Sequence, residues 1–190
     1  MNNPLLFMLA VVTVLGTPGP TNTLLATSGA ITGIRASLSL LAGELAGYLV
    51  AITAYRIALE PMLSVWPLSD VALKIGAATY LIWMAARLWF RGPLLDRSGT
   101  FVTLPNLFVT TLLNPKALIF SAIILPKTDP HLFLYFIAFS ASVIAVGLCW
   151  IIAGRAIGVA AGAGYGVLLP RVAATALVGF ASIILMSSIR

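Results

Sequence analysis

Charge is scarce in this sequence. Of 190 residues only 8% are charged, with five acids against eleven Lys and Arg, one His and one Cys. A water-soluble domain is roughly a quarter charged and about half apolar. Here 61% of residues are hydrophobic and the mean hydropathy is +1.08. Too few polar residues remain to coat a globule, which excludes a soluble fold. The lone Cys149 excludes a disulfide framework, and the lone His131 excludes a histidine metal cluster. The net charge of +6 is spread singly over segment ends and forms no basic stripe, so nucleic acid is excluded as a partner. No long polar stretch is left over for a separate catalytic domain. At about 20 residues per crossing, the chain has room for an integral membrane protein of six or seven helices.

Six apolar stretches can be drawn, at 4–31, 36–59, 68–90, 104–125, 132–153 and 171–188. They are continuously apolar and about twice the length of the roughly ten-residue alternating strands of a membrane barrel. Turns are expected at Gly33-Ile34-Arg35, Glu60-Pro61, Arg91-Gly92-Pro93 and Pro126-Lys127-Thr128-Asp129-Pro130. The Gly- and Ala-rich stretch 154–170 reads as a loose loop or interfacial segment. No positive region precedes the first stretch, which therefore reads as a retained span and not a cleaved signal. Trp66, Trp89, Phe90 and Trp150 fall near segment ends, where aromatic rings settle among headgroups. Trp83 lies deeper and reads as packing, as do Cys149 and the scattered Met residues.

With six crossings, the turns after segments one, three and five share one side of the membrane. They and their flanks carry Arg35, Arg87, Arg91, Arg97, Arg155 and Arg171. Arg56, Lys74, Lys127 and Arg190 lie opposite, with Glu60, Asp70 and Asp129. The bias of Lys and Arg toward the cytoplasm places loop 91–103 inside and both termini outside.

A shift of 96 residues lays Ala77, Ala78, Thr79, Leu81 and Ala85 on Ala173, Ala174, Thr175, Leu177 and Ala181. The same shift lays Pro18-Gly19-Pro20 on Asn114-Pro115-Lys116, the only prolines well inside an apolar segment. One single-domain chain, 1–190, is therefore read as two three-helix repeats, about 4–90 and 104–189. Three being odd, the halves run in opposite directions through the membrane, an arrangement that recurs in secondary transporters. The expected fold is an all-α integral membrane protein of six transmembrane helices in two inverted repeats, with helices 1 and 4 broken by proline motifs.

Proline lacks the N–H that would bond the carbonyl four residues back. Pro18 thus frees Val14, Pro20 frees Gly16 and Pro115 frees Thr111, while Gly19 loosens the backbone between two prolines. Lipid cannot satisfy those carbonyls, so broken backbone survives only against protein or a wet cavity. Each new half-helix begins with unpaired N–H groups and a partial positive charge that suit an anion. Thr21, Asn22 and Thr23 open the first, and Asn114 and Lys116 flank the second break. A zwitterion fits: its carboxylate on half-helix N–H groups and Lys116, its ammonium on the carbonyls near Val14, Gly16 and Thr111. The plainer alternative is a pair of proline kinks that shape packing and bind nothing.

Glu44 lies near the middle of segment two with no charged neighbour in sequence until Arg35 or Arg56. An acid at a helix centre costs about 3 kcal/mol on insertion scales and commonly relays protons. It is expected to couple protons to a solute, to pair structurally with Lys116, or both. The Gly43-xxx-Gly47 spacing reads as a close helix contact. Arg56, Lys74 and Arg87 lie near segment ends, where long basic side chains reach back to water.

Leu15-Gly16-Thr17-Pro18-Gly19-Pro20-Thr21-Asn22-Thr23-Leu24-Leu25, followed by Leu112-Leu113-Asn114-Pro115-Lys116-Ala117, resembles the LysE/RhtB family of amino-acid exporters. Leu73-Lys74-Ile75-Gly76-Ala77-Ala78-Thr79-Tyr80-Leu81-Ile82-Trp83 is similar to that family's third segment. The resemblance covers nearly the whole chain. It implies a six-helix protein of the bacterial inner membrane that moves amino acids or their derivatives outward, driven by the proton gradient. Many members carry Asp after the second proline, where this chain has Thr21; Glu44 is then its main intramembrane acid.

The expectation is a proton-coupled exporter of a small amino-acid-like solute, with no cofactor or metal. Its site would comprise Val14, Gly16, Pro18, Gly19, Pro20, Thr21, Asn22, Thr111, Asn114, Pro115 and Lys116, with Glu44 as the coupling acid. Its partners would be the solute, protons, membrane lipid and, in a homodimer, a second copy. Two rivals stand beside it. An accessory subunit that transports nothing would tolerate replacement of Pro18, Pro115, Lys116 or Glu44. An intramembrane enzyme would need a nucleophile, base or metal set, which His131 and Cys149 do not provide.

Overall fold

The computed structural model describes residues 4–59, 68–91, 102–126, 129–161 and 168–186, which are helical with no strand among them. The first apolar stretch forms α1 (Pro4–Gly16) and α2 (Pro20–Thr32), bent by 64° at the proline pair. The second forms a single turn, α3 (Ile34–Ser37), then α4 (Leu40–Ala54), which ends in a π-helical turn, Tyr55–Leu59. α5 is Leu68–Arg91. The fourth stretch is broken into α6 (Leu104–Leu112) and α7 (Pro115–Ile119), the latter running on through π-helical Phe120–Ile124. α8 is Leu132–Ala161 and α9 is Leu168–Met186.

Two helices, Ile34–Ala58 and Leu132–Ala160, are long and apolar enough to cross a membrane, and the bent α1–α2 pair makes a third if taken as one span. Large apolar side chains cover the outside, among them Leu5, Phe90, Phe133 and Ile183, each more than 60% exposed. Such a surface suits hydrocarbon and not water. The protein is membrane-embedded, and every regular element among its described residues is a helix.

The helices pair across the middle of the chain. The most extensive contacts join α5 to α9, α2 to α8 and α4 to α6. α5 meets α9 through Ala78, Leu81, Ala85 and Leu88 in one buried cluster with Ala173, Ala174, Leu177, Ala181 and Ile184. At Gly43 and Gly47 the backbone of α4 comes so near α6 that an added Cβ would lie 2.9 Å from the Leu104 carbonyl and 2.8 Å from that of Phe108. The close contact expected of that spacing is present.

Several expectations need correction. The fifth helix does not end at Ala153 but runs to Ala161. Gly154 and Gly158 lie flush against α2, where a Cβ would fall on the carbonyls of Ala26 and Ala30, so these glycines mark helix contact and not a loop. Trp150 consequently sits inside α8, packed against the core, and not at a segment end. Cys149 is exposed and does not fill the core, while half-exposed Trp83 packs between the Tyr80 ring and the Arg87 guanidinium. The turn after segment one is Gly33 alone, at φ +87°, because Ile34 and Arg35 already belong to α3. Glu60-Pro61, Trp66, Gly92-Pro93, Arg97, Lys127-Thr128, residues 162–167 and Arg190 lie outside the described residues.

Candidate functional site

Both helix breaks lie where the prolines put them. α1 stops at Gly16 and α2 starts with Pro20 as its first residue; α6 stops at Leu112 and α7 starts with Pro115. A proline suits a first helical position, where its missing N–H has no intrahelical partner to lose. The capping residues Gly19 and Asn114 therefore correspond, and Pro20 corresponds to Pro115. This register is one residue out of step with the shift of 96 that relates α5 to α9.

The two half-helices meet at their tips. Asn114 caps α7, its Oδ1 accepting from the Lys116 N–H at 3.0 Å, and its Nδ2 donates to Thr21 Oγ1 at 3.0 Å. Thr21 Oγ1 lies 3.2 Å from Thr111 Oγ1, which itself donates to the Leu107 carbonyl at 2.8 Å. A hydroxyl has one proton to give, so Thr21 donates to Thr111 and the bonds run in one direction from Asn114 to Leu107. Thr21, Thr111 and Asn114 are all buried.

The C-terminal end of α1 gathers donors. Asn22 Nδ2 folds back to the carbonyls of Leu15 at 2.7 Å and Thr17 at 2.9 Å. Lys116 Nζ reaches across from the other break to the same two oxygens, at 3.2 Å and 2.5 Å. A helix C-terminus carries partial negative charge, which an ammonium complements. Gly19 leaves the passage open: a Cβ there would lie 3.1 Å from Lys116 Cε and 3.2 Å from Nζ.

These are not the carbonyls the sequence singles out. Val14 O accepts from Thr17 Oγ1 at 2.7 Å, and Thr111 O accepts from the Asn114 N–H at 3.1 Å. The i−4 rule finds the carbonyl that a proline cannot bond. The bend instead carries the Gly19 N–H away from Leu15, and Thr17 lies beyond the last helical residue. No local signal marks either oxygen.

Glu44 is buried on α4 at 1% exposure, and its Oε2 has no hydrogen-bond partner among the described residues. Gly147 of α8 makes room for it, since a Cβ there would meet Glu44 Oε2 and lie 2.7 Å from Leu41 and 3.4 Å from Leu25. Lys116 acts on Glu44 through its charge, yet its ammonium bonds go to Leu15 and Thr17 in place of the expected structural pair. One turn along α4, the Tyr48 ring packs edge-on against Phe120 and Phe139.

Arg56 donates from Nη2 to the Leu125 carbonyl at 2.9 Å and so closes the end of the π-helical turn after α7. A cavity of about 310 Å³ opens beside the second break, between α4, α5, the α6–α7 break and α9. Its lining includes Tyr55, Lys74, Asn114 and Pro115, so Asn114 belongs both to the buried polar cluster and to the cavity wall. No group of His, Cys, Asp and Glu able to hold a metal ion occurs among the described residues. Compared with protein-family models, curated proteins and solved structures, the chain matches none.

Proposed function

We propose that the protein is a secondary transporter that exports amino acids or amino-acid derivatives from the cytoplasm by proton antiport. In this reading six spans form two inverted three-helix repeats in a bacterial inner membrane, with loop 91–103 inside and both termini outside. The observation that carries it is the meeting of two proline-broken helices at a buried polar cluster that holds an ammonium against main-chain carbonyls. Discontinuous helices that meet in this way form the solute sites of many secondary transporters.

The packing supports the repeat. Counting α1–α2 as span one and α6–α7 as span four, the principal pairs are one with five, four with two, and three with six. Exchanging the two halves leaves that set unchanged. At the shift of 96, buried Ala77, Ala78, Leu81, Ala85 and Leu88 of α5 fall on buried positions of α9, and buried Met84 falls on the partly buried Phe180. Glu44, the one acid buried among the described residues, supplies the proton-coupling group.

The test is flux. Purified protein in liposomes loaded with a panel of amino acids, under an imposed pH gradient, is expected to release at least one of them faster than empty liposomes do. Glu44→Gln is expected to remove the dependence on the gradient. Equal rates with and without protein across the panel overturn the proposal.

A further inference from the structure

Lys116 occupies an unusual position for a cation. Its Nζ is held by two main-chain oxygens, those of Leu15 and Thr17, with no carboxylate among its hydrogen-bond partners. Two carbonyls at a helix C-terminus, with the Asn22 amide beside them, form a cradle for any primary ammonium, not for lysine alone. The tether that fills it crosses from the opposite break through the gap left by Gly19.

The second observation is Glu44. Burial at 1% exposure with an unpartnered oxygen disfavours a bare charge on this acid. Its Oε2 reaches the open space over Gly147 of α8, which Leu25 of α2 and Leu41 of α4 also border; the titratable groups coupled to it are Lys116 of α7 and Tyr48 on its own helix. Glu44 thus has an unpartnered acceptor oxygen, while the ammonium whose charge it feels is bonded to Leu15 and Thr17.

We infer that the Leu15 and Thr17 carbonyls form a primary-ammonium site that Lys116 fills from within, and that an incoming amine displaces Lys116 onto Glu44, expelling the Glu44 proton. The step balances. The amine's N–H groups replace those of Lys116 on the two carbonyls, the Glu44 O–H bond breaks with its electron pair staying on oxygen, and the proton passes to water. The carboxylate so formed pairs with the Lys116 ammonium, and one charge leaves for each charge that enters. The inference rests on the exporter reading only for the amine being that of a transported solute. It deepens that reading by making Lys116 a competitor of the solute amine and the switch for the proton.

Methylammonium chloride is the probe, because it presents the ammonium shared by every such solute. Added to wild-type protein in weakly buffered detergent with a pH-indicator dye, it is expected to release about one proton per chain. Tetramethylammonium, which has no N–H to donate, is expected to release none, and so is methylammonium added to Glu44→Gln. Lys116→Ala, lacking the competitor, is expected to bind methylammonium about tenfold more tightly than wild type by thermal shift, a difference of about 1.4 kcal/mol. Lys116→Met serves if the alanine variant does not fold. Absence of proton release from the wild type, or equal release from Glu44→Gln, overturns the inference. Proton release without amino-acid flux in liposomes leaves the switch standing and removes the exporter reading alone.

Discussion

At Gly154 the backbone of α8 lies so close to Ala26 that a single methyl group has no room, whereas a Cβ at Gly179 of α9 would meet nothing within 4 Å. The two positions predict opposite signs. Gly154→Val is expected to destabilise the protein by about 1–3 kcal/mol through overpacking. Gly179→Ala is expected to stabilise it by about 0.5–1 kcal/mol, because alanine loses less freedom in a helix than glycine. Unfolding in detergent micelles measures both. Asn114 offers a third test at this scale. Asn114→Ala loses the cap on Lys116 N–H and the bond to Thr21, and is expected to cost about 1–2 kcal/mol by the same measurement. Of the site residues, those next to a proline were legible in the sequence, because proline acts on its own backbone. The oxygens of Leu15 and Thr17 were not, since a 64° bend and a lysine some hundred positions away select them.

Among the elements, the broken helices follow from local chemistry and the long ones from packing. Pro18, Pro20 and Pro115 end α1 and α6 whatever surrounds them. The last two turns of α8 contain Gly154 and Gly158, and only the surface of α2 explains why they stay helical. Helix propensity points the other way there, and tertiary contact wins. α5 carries Asp70, Lys74, Arg87 and Arg91 over its 24 residues, and α6 and α7 are short pieces, so these elements do not stand out as spans by length and composition. The double change Pro18→Ala, Pro20→Ala restores the missing N–H groups to the first break. It is expected to straighten α1 into α2, withdraw the carbonyls of Leu15 and Thr17 from Lys116 and abolish flux, with helical content by circular dichroism kept or raised. Normal flux with a straightened first helix would separate the break from transport.

For the whole molecule, the proposed topology has a direct readout in the single cysteine. In a Cys149→Ser background, cysteines placed one at a time at Asn3 and Ser98 are separated by three proposed crossings. A membrane-impermeant maleimide is expected to label the first from outside intact cells and the second only after permeabilisation. Labelling of both from one side would reject three spans in the first half. The membrane class was legible from composition alone, whereas the shift of 96 matched α5 to α9 as repeats without revealing that the two pack on each other. The pairing of α2 with α8 and α4 with α6 was not, because uniformly apolar helices do not announce which face meets a neighbour.

That pairing bears on how the protein is made. Each principal pair joins an element before residue 92 to one after residue 101. While the ribosome is still at the middle of the message, Glu44 has neither α8 to shelter it nor Lys116 to answer it. The early helices must wait in lipid or in the hands of an insertion factor until their late partners arrive. A fragment comprising residues 1–95 should be degraded when synthesised alone and persist when residues 96–190 are produced beside it as a separate polypeptide.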